Sequence, residues 1–202
     1  MAGELSFAEL LQPHADGDLL ARLVCYAELI ERWSQRHNLV SWKGREDLVR
    51  RHLLDALAAR ELLAGSGALL DVGSGAGLPG VPLLVSRPGW RGVLLEPRQK
   101  RWAFLRLVVR ELGLDAMVER LRYQEFGGSG EGFDLVTARA VGGHVELLRW
   151  ARGQLAPNGR AVLWSTAGDE AELQRLPGWD VLSSPLPSLE RGRLVQLRPC
   201  FT

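Results

Sequence analysis

The sequence predicts an α/β fold: a mostly parallel seven-stranded sheet with helices on both faces, an antiparallel hairpin at one edge, and a helical extension ahead of it. Three observations predict it. From Ala68 onward, short apolar runs alternate with segments of helical period. The first run ends in a glycine-rich turn, Gly73-Ser74-Gly75-Ala76-Gly77. The last two runs are joined through Pro185, Pro187 and Ser188 with no room for a crossover helix, so they pair antiparallel.

The elements follow in order. Residues 18–36 place Leu19, Leu20, Leu23, Ala27, Ile30 and Trp33 at helical spacing, with Arg22, Glu28, Glu31 and Arg32 on other faces. A second helix runs from Arg45 to Ala64, carrying Leu48, Val49, His52, Ala56, Leu57 and Leu63 near one stripe, with Gly65 to end it. Residues 1–66 therefore form a helical cap and residues 67–202 the core, together one compact domain. Strands are expected at 68–72, 92–96, 117–122, 133–138, 160–164, 179–184 and 191–198. Helices are expected near 80–86 and at 99–112, 143–155 and 169–175. The segment Gly127 to Gly132 reads as a flexible connector.

Composition narrows the class. The chain has 202 residues, 46% hydrophobic and 24% charged, values of an ordinary globular protein rather than a disordered chain or a coiled coil. No apolar run has the length of a membrane span, and Met1-Ala2-Gly3-Glu4 does not begin a secretory leader, so a cytoplasmic address without membrane contact is expected. Cys25 and Cys200 lie far apart with no ligand spacing, which supports neither a disulfide framework nor a metal site. A net charge of +1 argues against a whole-surface grip on nucleic acid but permits a local basic face; Lys43 and Lys100 are the only lysines among the 25 basic residues.

The chemical signal is strongest from Leu69 to Gly80, where the first strand turns into a helix. Glycines there let a ligand approach the backbone closely, and a helix N-terminus offers N–H groups. Gly75, Gly77 and Gly80 also satisfy the dinucleotide pattern G-x-G-x-x-G, so a nicotinamide reading stays open. Two carboxylates favour S-adenosylmethionine. Asp71, at the strand end, is placed to face a cationic methionine moiety, and Glu96, ending the next strand, to accept both ribose hydroxyls.

Further motifs carry a resemblance: Asn38-Leu39, Arg51-His52-Leu53-Leu54-Asp55, Asp71 to Pro82 with Leu78-Pro79-Gly80-Val81-Pro82, Lys100-Arg101 with Phe104-Leu105, and Phe133-Asp134 with Arg139-Ala140. From Trp33 to about Leu197 the chain resembles the bacterial 16S ribosomal RNA guanine-N7 methyltransferases of the RsmG or GidB (glucose-inhibited division protein B) family. The resemblance implies the class I S-adenosylmethionine-dependent, Rossmann-like methyltransferase fold, S-adenosyl-L-methionine as cofactor, and 16S RNA or the small ribosomal subunit as partner of a monomeric enzyme. It places Gly73 and Leu78 along the cofactor, Gln124 and Glu125 beside its adenine, and Arg139 at the mouth of the site as both a cofactor-site and a substrate-positioning residue. Lys100 and Arg101 would face RNA, and Arg51 and His52 the active-site rim, with Arg50 adding to the basic face. His52 reads equally as a core histidine satisfied by a neighbour.

The chain also departs from the family pattern. Leu163-Trp164-Ser165-Thr166 stands where Lys-Gly is usual after the fifth strand, Gly192-Arg193-Leu194-Val195 where an Arg-His pair usually precedes Leu-Val, and Arg122 lies three rather than two residues before Glu125. These positions bear on the target more than on the cofactor. A small-molecule methyltransferase, and a divergent member that binds cofactor without methylating RNA, therefore stay open. Guanine N7 carries a lone pair and no proton, so the absence of a catalytic dyad is expected.

Overall fold

A computed structural model describes residues 4–188 and 191–200; the start Met1 to Gly3 and the last two residues, parts of the predicted segments 1–66 and 67–202, lie outside it. The helical cap holds α1 (Phe7–Leu11) and α2 (Gly17–Ser34). It continues as α3 (Arg45–Leu48), a wide π-helical turn (Val49–Leu54), α4 (Asp55–Leu57) and a 3-10 turn (Arg60–Leu62). The sheet comprises β1 (Gly67–Val72), β2 (Trp90–Leu95), β3 (Ala116–Glu119), β4 (Phe133–Arg139), β5 (Leu155–Thr166), β6 (Trp179–Pro185) and β7 (Gly192–Pro199). Between the strands lie α5 (Gly80–Ser86), α6 (Gln99–Glu111), a 3-10 turn (Tyr123–Glu125), α7 (His144–Arg152) and α8 (Ala167–Leu173).

The strand order is β3-β2-β1-β4-β5-β7-β6. β1 to β5 run parallel, and β7 inserts antiparallel between β5 and β6. The expected edge hairpin is present, and its second strand joins it to the rest of the sheet. The order in which strands are added reverses between β1 and β4, which makes their carboxyl ends the switch point where open α/β sheets bind ligands.

Period-two alternation divides the core. Leu69 and Leu135 pack with the cap, α5 and α6, whereas Leu70 and Val136 pack with α7 and α8 on the opposite face. Both faces of the parallel strands are thus covered, which explains their near-continuous apolar runs. Leu23, Ala27, Ile30, Leu48 and Leu53 of the cap share one hydrophobic cluster with Leu69, Val81 and Phe104. Cap and sheet are built around common apolar contacts.

The strand expected at 117–122 ends at Glu119 and the helix expected at 143–155 ends at Arg152, and three departures are larger. α1 was absent from the periodicity, although Ser6 and Glu9 form the reciprocal capping box that starts it, with Ser6 Oγ accepting from the Glu9 N–H at 3.2 Å. The single helix expected from Arg45 to Ala64 is interrupted by the π-turn and finishes as 3-10, although Gly65 does adopt φ +58° beyond it. β5 begins at Leu155, five residues before the expected start, because the Pro157-Asn158-Gly159 stretch that resembles a loop joins the strand at a register irregularity opposite Phe133 and Leu135.

Candidate active site

The turn after β1 is the most constrained backbone in the region. Gly73, Gly75 and Gly77 have φ of +67°, +61° and +97°, conformations that L side chains rarely adopt. A Cβ on Gly73 would meet Val141 Cγ2 at 2.9 Å, and one on Gly77 would meet Val81 Cγ2 at 2.6 Å and the Tyr26 hydroxyl at 3.0 Å. At Gly75 the nearest atoms are the Gly73 carbonyl at 3.8 Å and the Arg101 guanidinium at 3.9 Å. Packing therefore demands glycine at 73 and 77. At 75 only the backbone conformation demands it, and the space a side chain would fill remains open to a ligand.

The carboxylates brace this turn. Asp71 is fully buried. Its Oδ1 accepts from Thr137 Oγ1 at 2.8 Å and its Oδ2 from the Gly80 N–H at 3.3 Å. Burial raises its pKa to about 6, against the lowering effect of these hydrogen bonds. A direct approach of Asp71 to a ligand finds no exposed carboxylate; the side chain instead ties the tip of β1 to β4 and to the start of α5. The amides expected to be free at that helix start are also used, Gly80 by Asp71 and Val81 by the Gly77 carbonyl at 2.7 Å.

Glu96 follows β2 and is 3% exposed. Its Oε2 accepts from the Gly75 N–H at 3.0 Å and its Oε1 from the Arg98 N–H at 2.7 Å. It thus links the glycine turn to the start of α6, while each oxygen keeps a second lone pair. Leu78 is nearly buried in the cluster beneath the turn. Gln124 and Glu125 are exposed on the 3-10 turn beyond β3, where the Glu125 carboxylate accepts from the Arg122 N–H at 2.8 Å.

Arg139 ends β4 and reaches the π-turn of the cap. Its Nη2 donates to the Arg51 carbonyl at 2.8 Å and lies 3.3 Å from His52 Nδ1, and its Nη1 is 3.5 Å from the His52 carbonyl. On the far side of the ring, His52 Nε2 is 3.2 Å from the Ser41 carbonyl. One tautomer satisfies both ends: Nε2–H donates to Ser41 while Nδ1 accepts from Arg139. Burial, then the Arg139 charge, lowers the His52 pKa to about 4, which keeps the ring neutral. His52 is thus a histidine satisfied by neighbours, one of which is Arg139.

The basic residues divide into two groups. Arg50 and Arg51 are each paired one turn back, with Glu46 and Asp47, both at 3.3 Å. Lys100 and Arg101, in the first turn of α6, have no ion-pair partner among the described residues, and Arg101 comes beside Gly75.

The departures have structural consequences. Trp164 is buried and its Nε1 donates to the Asp55 carbonyl at 2.6 Å. Asp55, also buried, accepts from Ser188 Oγ at 2.5 Å, so β5, the cap and the β6–β7 connection meet at one residue. Ser165 and Thr166 both donate to Asp169 and cap α8, and Arg193 pairs with Glu170 at 3.0 Å. The sequence reading missed Tyr26, whose buried hydroxyl donates to the Ala76 carbonyl at 2.7 Å. Its signal was available: a tyrosine on the same stripe as Leu23, Ala27 and Ile30 must bury its hydroxyl with a partner.

Among the described residues no group of three His, Cys, Asp or Glu side chains is arranged to hold a metal, and no helix is long and apolar enough to cross a membrane. Among solved structures, the chain superposes on a ribosomal protein L11 methylase from Lactobacillus delbrueckii subsp. bulgaricus with a TM-score of 0.63 at 12% identity, covering 73% of this chain and 77% of that one. It superposes on a Corynebacterium glutamicum protein, also with a TM-score of 0.63, at 15% identity over 95% and 94% of the two chains. These matches show the fold alone, a Rossmann-like α/β sheet. Ribosomal RNA small subunit methyltransferase G of Halorhodospira halophila is 39% identical over 84% of this chain and 80% of its own length. Its counterpart in Nitrosococcus oceani is 34% identical over 94% and 91%. The family described as rRNA small subunit methyltransferase G matches residues 19–179, and the chain belongs to that family, GidB.

Proposed function

We propose that the chain transfers a methyl group from S-adenosylmethionine to N7 of a guanine in 16S ribosomal RNA, acting as a cytoplasmic monomer on the RNA or the small subunit. The observation that carries this reading is the open space at Gly75, bordered by Glu96 and Arg101 at the sheet's switch point. Gly73, Gly75, Gly77 and Leu78 form the wall against which the cofactor lies. Glu96 has lone pairs to spare for ribose hydroxyls, Gln124 and Glu125 flank the adenine, and Asp71 acts from beneath by fixing the β1 tip. When bound, S-adenosylmethionine supplies an electrophilic methyl group.

The protein's own contribution is orientation and exclusion of water, because N7 attacks with a lone pair and needs no base. Arg139 sits at the rim with its guanidinium fixed by the Arg51 and His52 backbone, a rigid donor for positioning the guanine or its phosphate. Arg51, His52, Lys100 and Arg101 border the approach of the RNA.

The test is methyl transfer from labelled cofactor to 16S RNA from a strain lacking the modification, with the methylated nucleotide mapped. Label at guanine N7 is the expected result. Label confined to metabolites of a cell extract, or thermal stabilisation by a nicotinamide dinucleotide but not by S-adenosylhomocysteine, overturns the reading.

A further inference from the structure

A groove of about 600 Å³ lies between the chain following α2 and the first turn of α6. Arg36, His37 and Asn38 form one wall; Arg98, Lys100 and Arg101 form the other. No carboxylate is among its lining residues, and none of its four cations is ion-paired among the described residues. Four other arginines of the cap have acidic partners: Arg22 with Asp18, Arg45 with Glu31 at 2.8 Å, Arg50 with Glu46 and Arg51 with Asp47, the last two both at 3.3 Å. Four uncompensated cations around one groove, in a chain of net charge +1, repel one another unless an anion joins them. α6 adds to this: it opens without an acidic residue in its first turn and without a side-chain cap, so its cations stand at the positive end of the helix dipole.

We infer that this groove is a phosphodiester track that receives the RNA strand next to the target nucleotide, with Arg36 and Arg98 as binding residues alongside Lys100 and Arg101. The inference rests on the RNA reading above and gives the strand a path: Arg101 belongs both to the groove and to the neighbourhood of Gly75, so a backbone held there leads to the cofactor turn. The path runs along α2 and α6, not across Arg50 and its carboxylate partner. Phosphate contacts of this kind position a strand without reading its sequence.

The experiment measures anisotropy of a labelled single-stranded RNA, taken from the target region, against salt concentration, for the wild type and the double variant Arg36→Ala/Arg98→Ala. The slope of log affinity against log salt is expected to fall by about 0.7 for each phosphate that the variant no longer neutralises. Binding of S-adenosylhomocysteine by calorimetry is expected to stay unchanged, which shows that the variant is folded. Arg36→Lys/Arg98→Lys restores the slope. An unchanged slope in the double alanine variant, or tighter binding of duplex DNA than of the RNA by the wild type, overturns the track. The two readings fail separately: wild type that binds RNA through the groove without methylating it refutes the proposed activity alone, whereas an unchanged slope with intact methylation refutes the track alone.

Discussion

The Tyr26 hydroxyl donates a 2.7 Å hydrogen bond to the Ala76 carbonyl, joining α2 of the cap to the centre of the glycine turn. The two residues are 50 positions apart in the chain. The cap therefore helps set the shape of the surface on which the cofactor is proposed to lie. Tyr26→Phe keeps the ring but leaves a buried carbonyl without its donor, a loss of about 1–3 kcal/mol. Weaker S-adenosylhomocysteine binding by calorimetry and a lower melting temperature are expected together, with the KM for the cofactor rising more than kcat falls. Unchanged cofactor affinity would show that the turn holds its shape without the cap.

Two neighbouring glycines are expected to fail differently. Gly77→Ala places a Cβ 2.6 Å from Val81 in addition to straining a positive φ, so it should destabilise the fold strongly. Gly75→Ala meets only the conformational strain, about 1–2 kcal/mol, but fills the space proposed for the cofactor. Denaturant unfolding should rank Gly77→Ala as the less stable protein. Calorimetry should show Gly75→Ala folded yet poor at binding S-adenosylhomocysteine.

Arg139→Ala removes the link between the tip of β4 and the carbonyls of Arg51 and His52. Methyl transfer should fall roughly 100-fold as the guanine loses its orientation, while cofactor affinity falls far less. The same variant should let the His52 pKa rise from about 4, since a nearby positive charge is one of its causes. An NMR titration of the ring measures this directly. An active Arg139→Ala enzyme would remove Arg139 from the proposed positioning role.

His52 and Asp71 oppose one another in acid. The unfolded chain protonates His52 near 6.5 and the folded chain only near 4, so the histidine's contribution to stability is full above about 6.5 and is lost as pH falls toward 4. Asp71 is raised from 3.8 to about 6; its burial cost is full above 6 and is relieved as pH falls. In melts between pH 7 and 4.5, the difference in melting temperature between the wild type and His52→Gln should shrink with acidification. A difference independent of pH would mean that the folded and unfolded chains titrate His52 alike.

Much of this architecture was readable because the parallel strands are buried on both faces and so appear as short apolar runs between helical periods. The run ending at Val72 and the glycines after it marked both the first strand and the positive-φ turn that follows it. What was not readable depended on distant partners. Nothing near Asp71 in sequence indicates that Thr137 and Gly80 draw its carboxylate inward. The acidic neighbours of Arg50 and Arg51 were visible at helical spacing, but the uncompensated Arg36 and Arg98 become a pair of walls only once α2 and α6 are brought together. The missed α1 differs in kind, because its Ser6-to-Glu9 capping box is a purely local signal.

The π-turn from Val49 to Leu54 also constrains how this chain tolerates change in length. It winds wider than an α-helix, and the Arg51 and His52 carbonyls it carries face Arg139. Deleting one residue from it would let regular winding resume and would swing the preceding side chains by about 100° around the axis. The segment is thus a spacer whose residue count sets an angle, and even a deletion that preserves every apolar neighbour in the cap would carry His52 away from its arginine.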